Sequence, residues 1–117
     1  MSPPEAAFKT IGILGAGTMG AGIAQVAAQA GYAVVLYDLQ AEYTERGLAG
    51  IFAFLQKGID KGKTAPEVLD QVKSRLSTTT ELTDLRGCNL VIEAVPEDLA
   101  LKQRLFGELD DLLGPEA

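Results

Sequence analysis

A glycine-spaced turn between an apolar run and a helical stripe constrains the fold of this chain more than any other feature. Gly15, Gly17 and Gly20 directly follow the β-branched and apolar run Thr10–Leu14, which is typical of a buried strand. A second apolar run, Ala33–Tyr37, comes about a dozen residues after Gly20. Between them, apolar residues recur at the spacing of a helix that packs on a sheet: Ile23, Val26, Ala27 and Ala30. The pattern predicts a strand, a tight turn, a helix and a parallel strand.

Alternating strands and helices are also predicted beyond Asp38. A helical stripe is formed by Leu48, Ile51, Phe52, Leu55 and Ile59. Thr64 and Glu67 have the spacing of a capping box, which predicts a shorter helix beginning there. Strands are predicted at residues 77–80 and 89–95, and a last helix after Pro96. This alternation predicts an α/β, Rossmann-like parallel sheet with flanking helices on both faces, cut before its later strands.

Composition excludes several classes of function. The chain has 117 residues, enough for one domain with one core. Its formal net charge of −6 argues against nucleic acid and anionic membranes as partners, since both attract basic surfaces. No histidine is present, so this chain by itself can build neither a Ser-His-Asp relay nor a His-ligated zinc site.

The chain carries a single cysteine and no long apolar run. Cys88 cannot form an internal disulfide, which fits a reducing compartment. No signal peptide is predicted in the first ten residues, and no apolar run approaches the roughly 18 residues of a membrane span. We therefore expect a soluble, cytoplasmic protein that does not enter membranes.

The glycine turn has the form of a dinucleotide fingerprint. Gly15 permits the tight turn, Gly17 lets the backbone approach a pyrophosphate, and Gly20 lets the helix lie against the strand. Free N–H groups and the helix dipole would bind the phosphates without a basic side chain, so the acidity of the chain is no obstacle. A strand-to-helix turn without a ligand would show the same bare pattern, but the flanking strand and helix favour the nucleotide site.

Asp38 ends the second predicted strand, where such sites place a carboxylate. It can accept hydrogen bonds from the hydroxyls of the adenosine ribose, and it would repel a 2′-phosphate. Leu39 and Gln40 offer no cation to receive that phosphate. The sequence therefore favours NAD over NADP.

Two further groups of charged residues allow alternative interpretations. Glu93 and Glu97 lie at the carboxyl end of a predicted strand and could form an acid–base pair, although Glu97 also suits the first turn of a helix. Lys57, Lys61 and Lys63 could contact substrate phosphates, or could simply be cations at a helix C-terminus.

Three stretches together resemble the 3-hydroxyacyl-CoA dehydrogenases, a family that includes the bacterial 3-hydroxybutyryl-CoA dehydrogenases. They are IGILGAGTMGAGIAQVAAQAGYAVVLYD at residues 11–38, Lys61 to Lys63, and NLVIEAVPEDLALKQRLFGELD at residues 89–110. The helical pair predicted between the second and third strands also fits, because this family inserts a helical hairpin there for the acyl-CoA. We assign that hairpin to residues 40–76 and a flexible lead to residues 1–9.

The resemblance implies NAD as the cofactor and a set of contacts. It implies that Lys61 and Lys63 lie near the CoA, whereas Phe54 replaces a small polar residue that some relatives carry on the CoA-facing helix. It implies phosphate, ribose and nicotinamide contacts by Gly15, Gly17, Met19, Gly20, Asp38, Ala94, Glu97 and Lys102.

The resemblance also implies a reaction whose catalytic residues this chain lacks. In this family NAD takes a hydride from C3 of an (S)-3-hydroxyacyl thioester, and a histidine oriented by a glutamate takes the hydroxyl proton. Both residues lie beyond the family's equivalent of Ala117. We therefore expect the NAD-binding portion of a dehydrogenase of fatty-acid β-oxidation or butyrate metabolism, itself inactive and without a metal site. The predicted strand at residues 89–95 would have an unpaired edge, so we also expect self-association. The alternatives are a non-catalytic NAD-binding or crystallin-like module and another hydroxy-acid dehydrogenase with a similar glycine turn.

Overall fold

The structure, a computed structural model, describes residues 10–94. None of the helices in this range is long and apolar enough to cross a membrane. The elements, in chain order, are β1 Thr10–Leu14, α1 Thr18–Gln29, β2 Ala33–Tyr37, α2 Ala41–Asp60, α3 Pro66–Arg75, β3 Leu76–Thr79, a 3₁₀ turn Leu82–Leu85, and β4 Leu90–Glu93.

The four strands form one parallel sheet in the order β3-β2-β1-β4. In its centre, Ile13 of β1 lies opposite Leu36 of β2 on one side and Ile92 of β4 on the other. The chain runs outward from β1 to β3 and then returns to place β4 on the opposite side of β1. Open parallel sheets bind ligands at the carboxyl ends of the strands where the order reverses, which here are β1 and β4. The predicted parallel α/β fold is thus confirmed.

The main core lies between one sheet face and the three α-helices. Side chains alternate along each strand, so Ile11 and Ile13 of β1 share this face with Val34 and Leu36 of β2. The residues that α1 presents to them are small, which lets this helix lie close to the sheet. The buried members from the helices are Ala24, Ala27, Ala28, Ile51, Leu55 and Val72.

The opposite sheet face has a second, smaller cluster. Leu14 and Tyr37 pack there against Leu82 and Leu85 of the 3₁₀ turn. The sequence predicts helices on both faces, but within residues 10–94 no α-helix covers this face, against which the 3₁₀ turn and Cys88 pack. The helix predicted after Pro96 lies outside the described residues.

The structure corrects the predicted capping box at Thr64. The helix begins one residue later than that motif requires: its N-cap is Ala65, no side chain caps it, and Pro66 occupies the first turn. Proline disfavours helical geometry in the residue before it, so Ala65 is extended (φ −69°, ψ 140°) and Thr64 is too far out to cap.

The bounds of the last two strands also differ from those predicted. β3 begins at Leu76, one residue early, because the chain passes from α3 directly into extended geometry there (φ −105°, ψ 124°). β4 is shorter than predicted, because Asn89 and Ala94 lie outside the strand Leu90–Glu93, and Val95 lies beyond the described residues.

Candidate dinucleotide-binding site

The turn between β1 and α1 is held at the carboxyl edge of the sheet by its neighbours. Gly15 donates its N–H to the carbonyl of Tyr37 at 2.7 Å, and Ala94 donates to the carbonyl of Leu14 at 2.8 Å. Gly15 adopts φ +106°, a conformation that side-chain-bearing residues rarely adopt. The last residue of β1 is therefore followed at once by a sharp turn over the edge of the sheet.

Gly20 allows α1 to begin directly against that turn. A β-carbon at Gly20 would overlap the carbonyl oxygen of Gly15, and it would lie 3.5 Å from the β-carbon of Ala94. The third glycine of the fingerprint thus has the close helix–strand packing expected of it. The same packing brings Ala94, at the end of β4, beside the turn.

Gly17 is not required by the protein's own packing. Its φ is −70°, which any residue can adopt, and a β-carbon placed there would meet no atom within 4 Å. The open space lies at the N-terminus of α1, where no side chain caps the helix and the first turn holds no acidic residue. The first backbone N–H groups of a helix have no intrahelical partner and attract anions. Thr18 and the 67% exposed Met19 border this space.

Asp38 reaches into the glycine turn from the end of β2. Its Oδ2 accepts a hydrogen bond of 2.8 Å from the N–H of Ala16, and its Oδ1 accepts one of 2.7 Å from Leu39. Each carboxylate oxygen has further lone-pair capacity for ribose hydroxyls. The motif did not reveal the bond to Ala16, because it joins residues that are 22 positions apart and depends on how the strands pair.

The remaining predicted residues fall into two groups. Glu93, half-buried at the end of β4, lies in register with Leu14 of β1, whereas Glu97 and Lys102 are outside the described residues. Lys61 and Lys63 are exposed in the loop after α2. The structure does not bring these lysines to the glycine turn.

The loop that carries the two lysines is tightly closed. Lys63 and Thr64 both donate their N–H groups to the carbonyl of Gly58, at 2.8 and 3.1 Å. Gly47, which does contact the turn, is about 20 Å from Lys61 at the helical rise of 1.5 Å per residue. A ligand that contacts both the glycine turn and these two lysines must therefore extend along α2.

Sequence reasoning missed the part that α2 plays beside the turn. A β-carbon at Gly47 would lie 2.8 Å from the carbonyl oxygen of Ala16, so this glycine lets α2 pack against the turn. A groove of about 660 Å³ opens between α1 and α2 and begins at Ala16 and Gly17. The only sequence signal was a glycine beside the apolar stripe of α2, and Ala16, against which this glycine packs, is distant in sequence.

Cys88 precedes β4 and packs against the smaller cluster on the opposite face of the sheet. Burial raises the pKa of the Cys88 thiol, which favours its protonated form. In the part of the chain that the structure describes, no group of three or more cysteine or carboxylate side chains is placed to hold a metal ion.

Comparisons with known proteins agree with this geometry. The family described as 3-hydroxyacyl-CoA dehydrogenase, NAD binding domain, matches residues 10–117. The 3-hydroxyadipyl-CoA dehydrogenase of Escherichia coli is 41% identical over 108 residues, which are 92% of this chain and 23% of that protein. A probable 3-hydroxybutyryl-CoA dehydrogenase of Deinococcus radiodurans is 45% identical over 107 residues, 90% of this chain and 37% of that protein.

Solved structures show the same relationship. The (S)-3-hydroxybutyryl-CoA dehydrogenase of Ralstonia eutropha superposes with a TM-score of 0.89 at 34% identity, covering 94% of this chain and 39% of that one. The chain thus spans between 23% and 39% of the length of these relatives. With a glycine turn, a carboxylate and a strand order that all suit a dinucleotide, the chain belongs to the 3-hydroxyacyl-CoA dehydrogenase family and corresponds to its NAD-binding domain.

Proposed function

We propose that this chain binds NAD across the carboxyl edge of its sheet, with the pyrophosphate over the first turn of α1. The observation that carries the proposal is the open space at Gly17, beside a helix N-terminus without a side-chain cap. Gly15 and Gly20 shape the turn, and the exposed Met19 borders it. Backbone N–H groups supply the attraction for phosphate.

The adenosine ribose binds to the carboxylate of Asp38. This side chain is held against the turn by its bond to Ala16, so it meets a ligand that lies over Gly17. A 2′-phosphate would face this negative charge, and neither Leu39 nor Gln40 carries a compensating cation. NAD is preferred to NADP for that reason.

The nicotinamide lies towards β4. Ala94 supports this placement because it packs beside Gly20 at the switch point of the sheet. Glu97 and Lys102, which follow it in sequence, complete this side of the site in the proposal.

The whole protein oxidises an (S)-3-hydroxyacyl-CoA to the 3-oxoacyl-CoA in this proposal. The relatives named above are dehydrogenases of 3-hydroxyacyl-CoA compounds, and NAD would accept the hydride from C3. The hydroxyl proton needs a base, and the family's histidine has no counterpart among the 117 residues. This chain alone is therefore inactive, and Lys61 and Lys63 hold the CoA end of the substrate.

We further propose that the chain acts in a reducing, cytoplasmic compartment and associates with a second copy of itself. Within residues 10–94, β4 lies at one edge of the sheet, and Leu90 on it is exposed. Open edges of this kind favour pairing with a second chain. Sedimentation as a strict monomer at high concentration would contradict this part.

Titration with NAD and NADP tests the cofactor site. Asp38→Ala is compared with the parent chain and with Glu45→Ala, which removes an exposed carboxylate from α2. Loosening of the turn alone would weaken both nucleotides equally, whereas removal of a ribose contact weakens NAD more. We expect NAD to bind Asp38→Ala about tenfold more weakly and the preference over NADP to disappear. An unchanged preference would refute the ribose assignment.

A further inference from the structure

The groove between α1 and α2 carries a positive charge beside the glycine turn. Among the described residues that line it, Arg46 is the only charged one, and the other polar side chains are those of Thr18 and Gln25. The lining begins at Ala16 and Gly17, the part of the turn over which we place the pyrophosphate. A cation at this point would add to the attraction that the backbone N–H groups of α1 exert on phosphate.

The packing of α2 against the turn determines the position of Arg46. Its neighbour Gly47 is buried against Ala16, so that a β-carbon there would lie 2.8 Å from the Ala16 carbonyl oxygen. Consecutive Cα atoms are about 3.8 Å apart, so the backbone of Arg46 is held near the turn as well. Lys57, the next cation along α2, is about 16 Å further on at the helical rise of 1.5 Å per residue. Arg46 is thus the cation of α2 beside the turn.

Arg46 has a partner in the structure that a phosphate group could replace. Its Nη2 donates to Oε1 of Glu42, one helical turn earlier, at 3.0 Å, and both side chains are exposed. This bond uses only one of the several N–H donors of the guanidinium. An exposed ion pair contributes little to stability, whereas arginine binds phosphate through two parallel charged hydrogen bonds. Exchange of the carboxylate for a phosphate is therefore favourable.

We propose that Arg46 is a further contact for the dinucleotide: its guanidinium leaves Glu42 and binds the pyrophosphate over Gly17 from the α2 side of the groove. This assignment rests on the proposed NAD site. The pyrophosphate then lies between the first turn of α1 and Arg46, while Asp38 holds the ribose. In the free chain Glu42 neutralises the guanidinium, and NAD takes its place.

Calorimetric titration of the 117-residue chain with NAD, NADP and coenzyme A tests the contact. Arg46→Gln removes the charge but keeps a polar side chain, and we expect it to bind NAD about three- to tenfold more weakly. Arg46→Lys keeps the charge without the planar guanidinium and should lose less. Lys57→Gln is the matched control and should leave NAD affinity unchanged, because it removes the same charge from an exposed position on α2 that does not line the groove.

Salt dependence and thermal unfolding separate this role from a structural one. Salt screens charges, so the difference in NAD affinity between the parent chain and Arg46→Gln should shrink as the ionic strength rises. The midpoint of thermal unfolding without NAD should be nearly the same for both, because the ion pair with Glu42 is exposed. A structural role would lower that midpoint in Arg46→Gln, and Arg46→Lys would not restore NAD binding.

Glu42→Gln tests the exchange of partners. It removes the group that competes for the guanidinium, together with a negative charge on the same helix as Arg46, so NAD should bind about two- to threefold more tightly. Glu45→Gln changes the net charge by the same amount at another exposed position of α2 and should leave the affinity nearly unchanged. Weaker NAD binding by Glu42→Gln would show that Glu42 orients the guanidinium and would overturn the exchange.

Three further outcomes would overturn the proposal. They are NAD affinity that Arg46→Gln leaves unchanged, a larger loss of affinity for NADP than for NAD, and a loss of affinity for coenzyme A alone. The second would place Arg46 at a 2′-phosphate, and the third would assign it to the acyl-CoA. No NAD binding by the parent chain would refute the proposed cofactor function together with this contact.

Discussion

Asp38 accepts a 2.8 Å hydrogen bond from the backbone N–H of Ala16 and thereby ties the end of β2 to the middle of the glycine turn. The carboxylate that the sequence assigns to a ribose is therefore also part of the protein's own framework. Its second oxygen is engaged by Leu39. Both bonds orient the carboxylate before any nucleotide arrives, which reduces the ordering cost of binding.

Asp38→Ala should destabilise the chain even without nucleotide. The N–H of Ala16 loses its partner in a partly buried position, and hydrogen bonds to charged groups contribute about 1.5–3 kcal/mol. We expect a loss of about 1–3 kcal/mol in the free energy of unfolding, measured by urea denaturation. Glu45→Ala on the exposed side of α2 should change it by less than about 0.5 kcal/mol. Equal effects of the two changes would show that the bond to Ala16 contributes little.

Gly17→Ala should weaken NAD binding with little effect on stability, whereas Gly20→Ala should destabilise the fold. At Gly17 an added methyl group meets no protein atom, so the fold should lose less than about 1 kcal/mol while NAD affinity falls at least several-fold. At Gly20 the methyl group overlaps the carbonyl oxygen of Gly15, so the fold should lose about 3 kcal/mol or more. Thermal unfolding and NAD titration of both variants check this. Normal NAD binding by Gly17→Ala would contradict the placement of the pyrophosphate.

Gly47→Ala should displace α2 from the turn. Its new methyl group would lie 2.8 Å from the carbonyl oxygen of Ala16 and 3.5 Å from Leu36, within the core. Overpacking of this kind costs about 1–3 kcal/mol, which chemical denaturation would measure. Gly50→Ala, one turn away on the same helix, is the control and should instead stabilise the chain by about 0.5–1 kcal/mol.

Arg75→Ala should destabilise the chain more than Arg46→Ala. Arg75 at the end of α3 donates from its guanidinium to the carbonyl of Ala28 at 2.9 Å, in a partly buried position near the end of α1. Losing this charged hydrogen bond should cost about 1–2 kcal/mol. The Arg46–Glu42 pair is 72% and 68% exposed, so its loss should cost less than about 0.5 kcal/mol. Comparable losses would mean that the α3–α1 contact is dispensable.

Cys88 should react slowly with thiol reagents. Burial raises the pKa of this thiol, so at neutral pH it has less thiolate than a free cysteine. The rate of reaction with a chromogenic disulfide should be lower for the folded chain than for the chain in urea. It should also continue to rise with pH after the rate of a free thiol has levelled off. Equal rates in the folded and unfolded chains would contradict the burial argument.

The sequence determined the elements and the nature of the cofactor site. Apolar runs of five residues predicted β1 and β2 correctly, because strands in a buried parallel sheet need apolar side chains on both faces. The spacing of Gly15, Gly17 and Gly20 predicted the turn, because the positive φ of Gly15 and the contact of Gly20 with the carbonyl of Gly15 both lie within the motif. The capping motif at Thr64 predicted the wrong N-cap, because Pro66 keeps the residue before it in extended geometry and the helix begins after that residue.

Tertiary structure alone decided how these parts meet. The order β3-β2-β1-β4, the bond from Ala16 to Asp38 and the contact of Gly47 with the turn all join residues far apart in sequence. Packing also distinguishes Gly20, which the fold requires, from Gly17, Gly22 and Gly50, which it does not. All four residues are glycines in the sequence. Only the neighbouring atoms, which are present at Gly20 and absent at the other three positions, distinguish them. A sequence motif encodes local backbone geometry, whereas the space around a residue is created only when distant segments pack together.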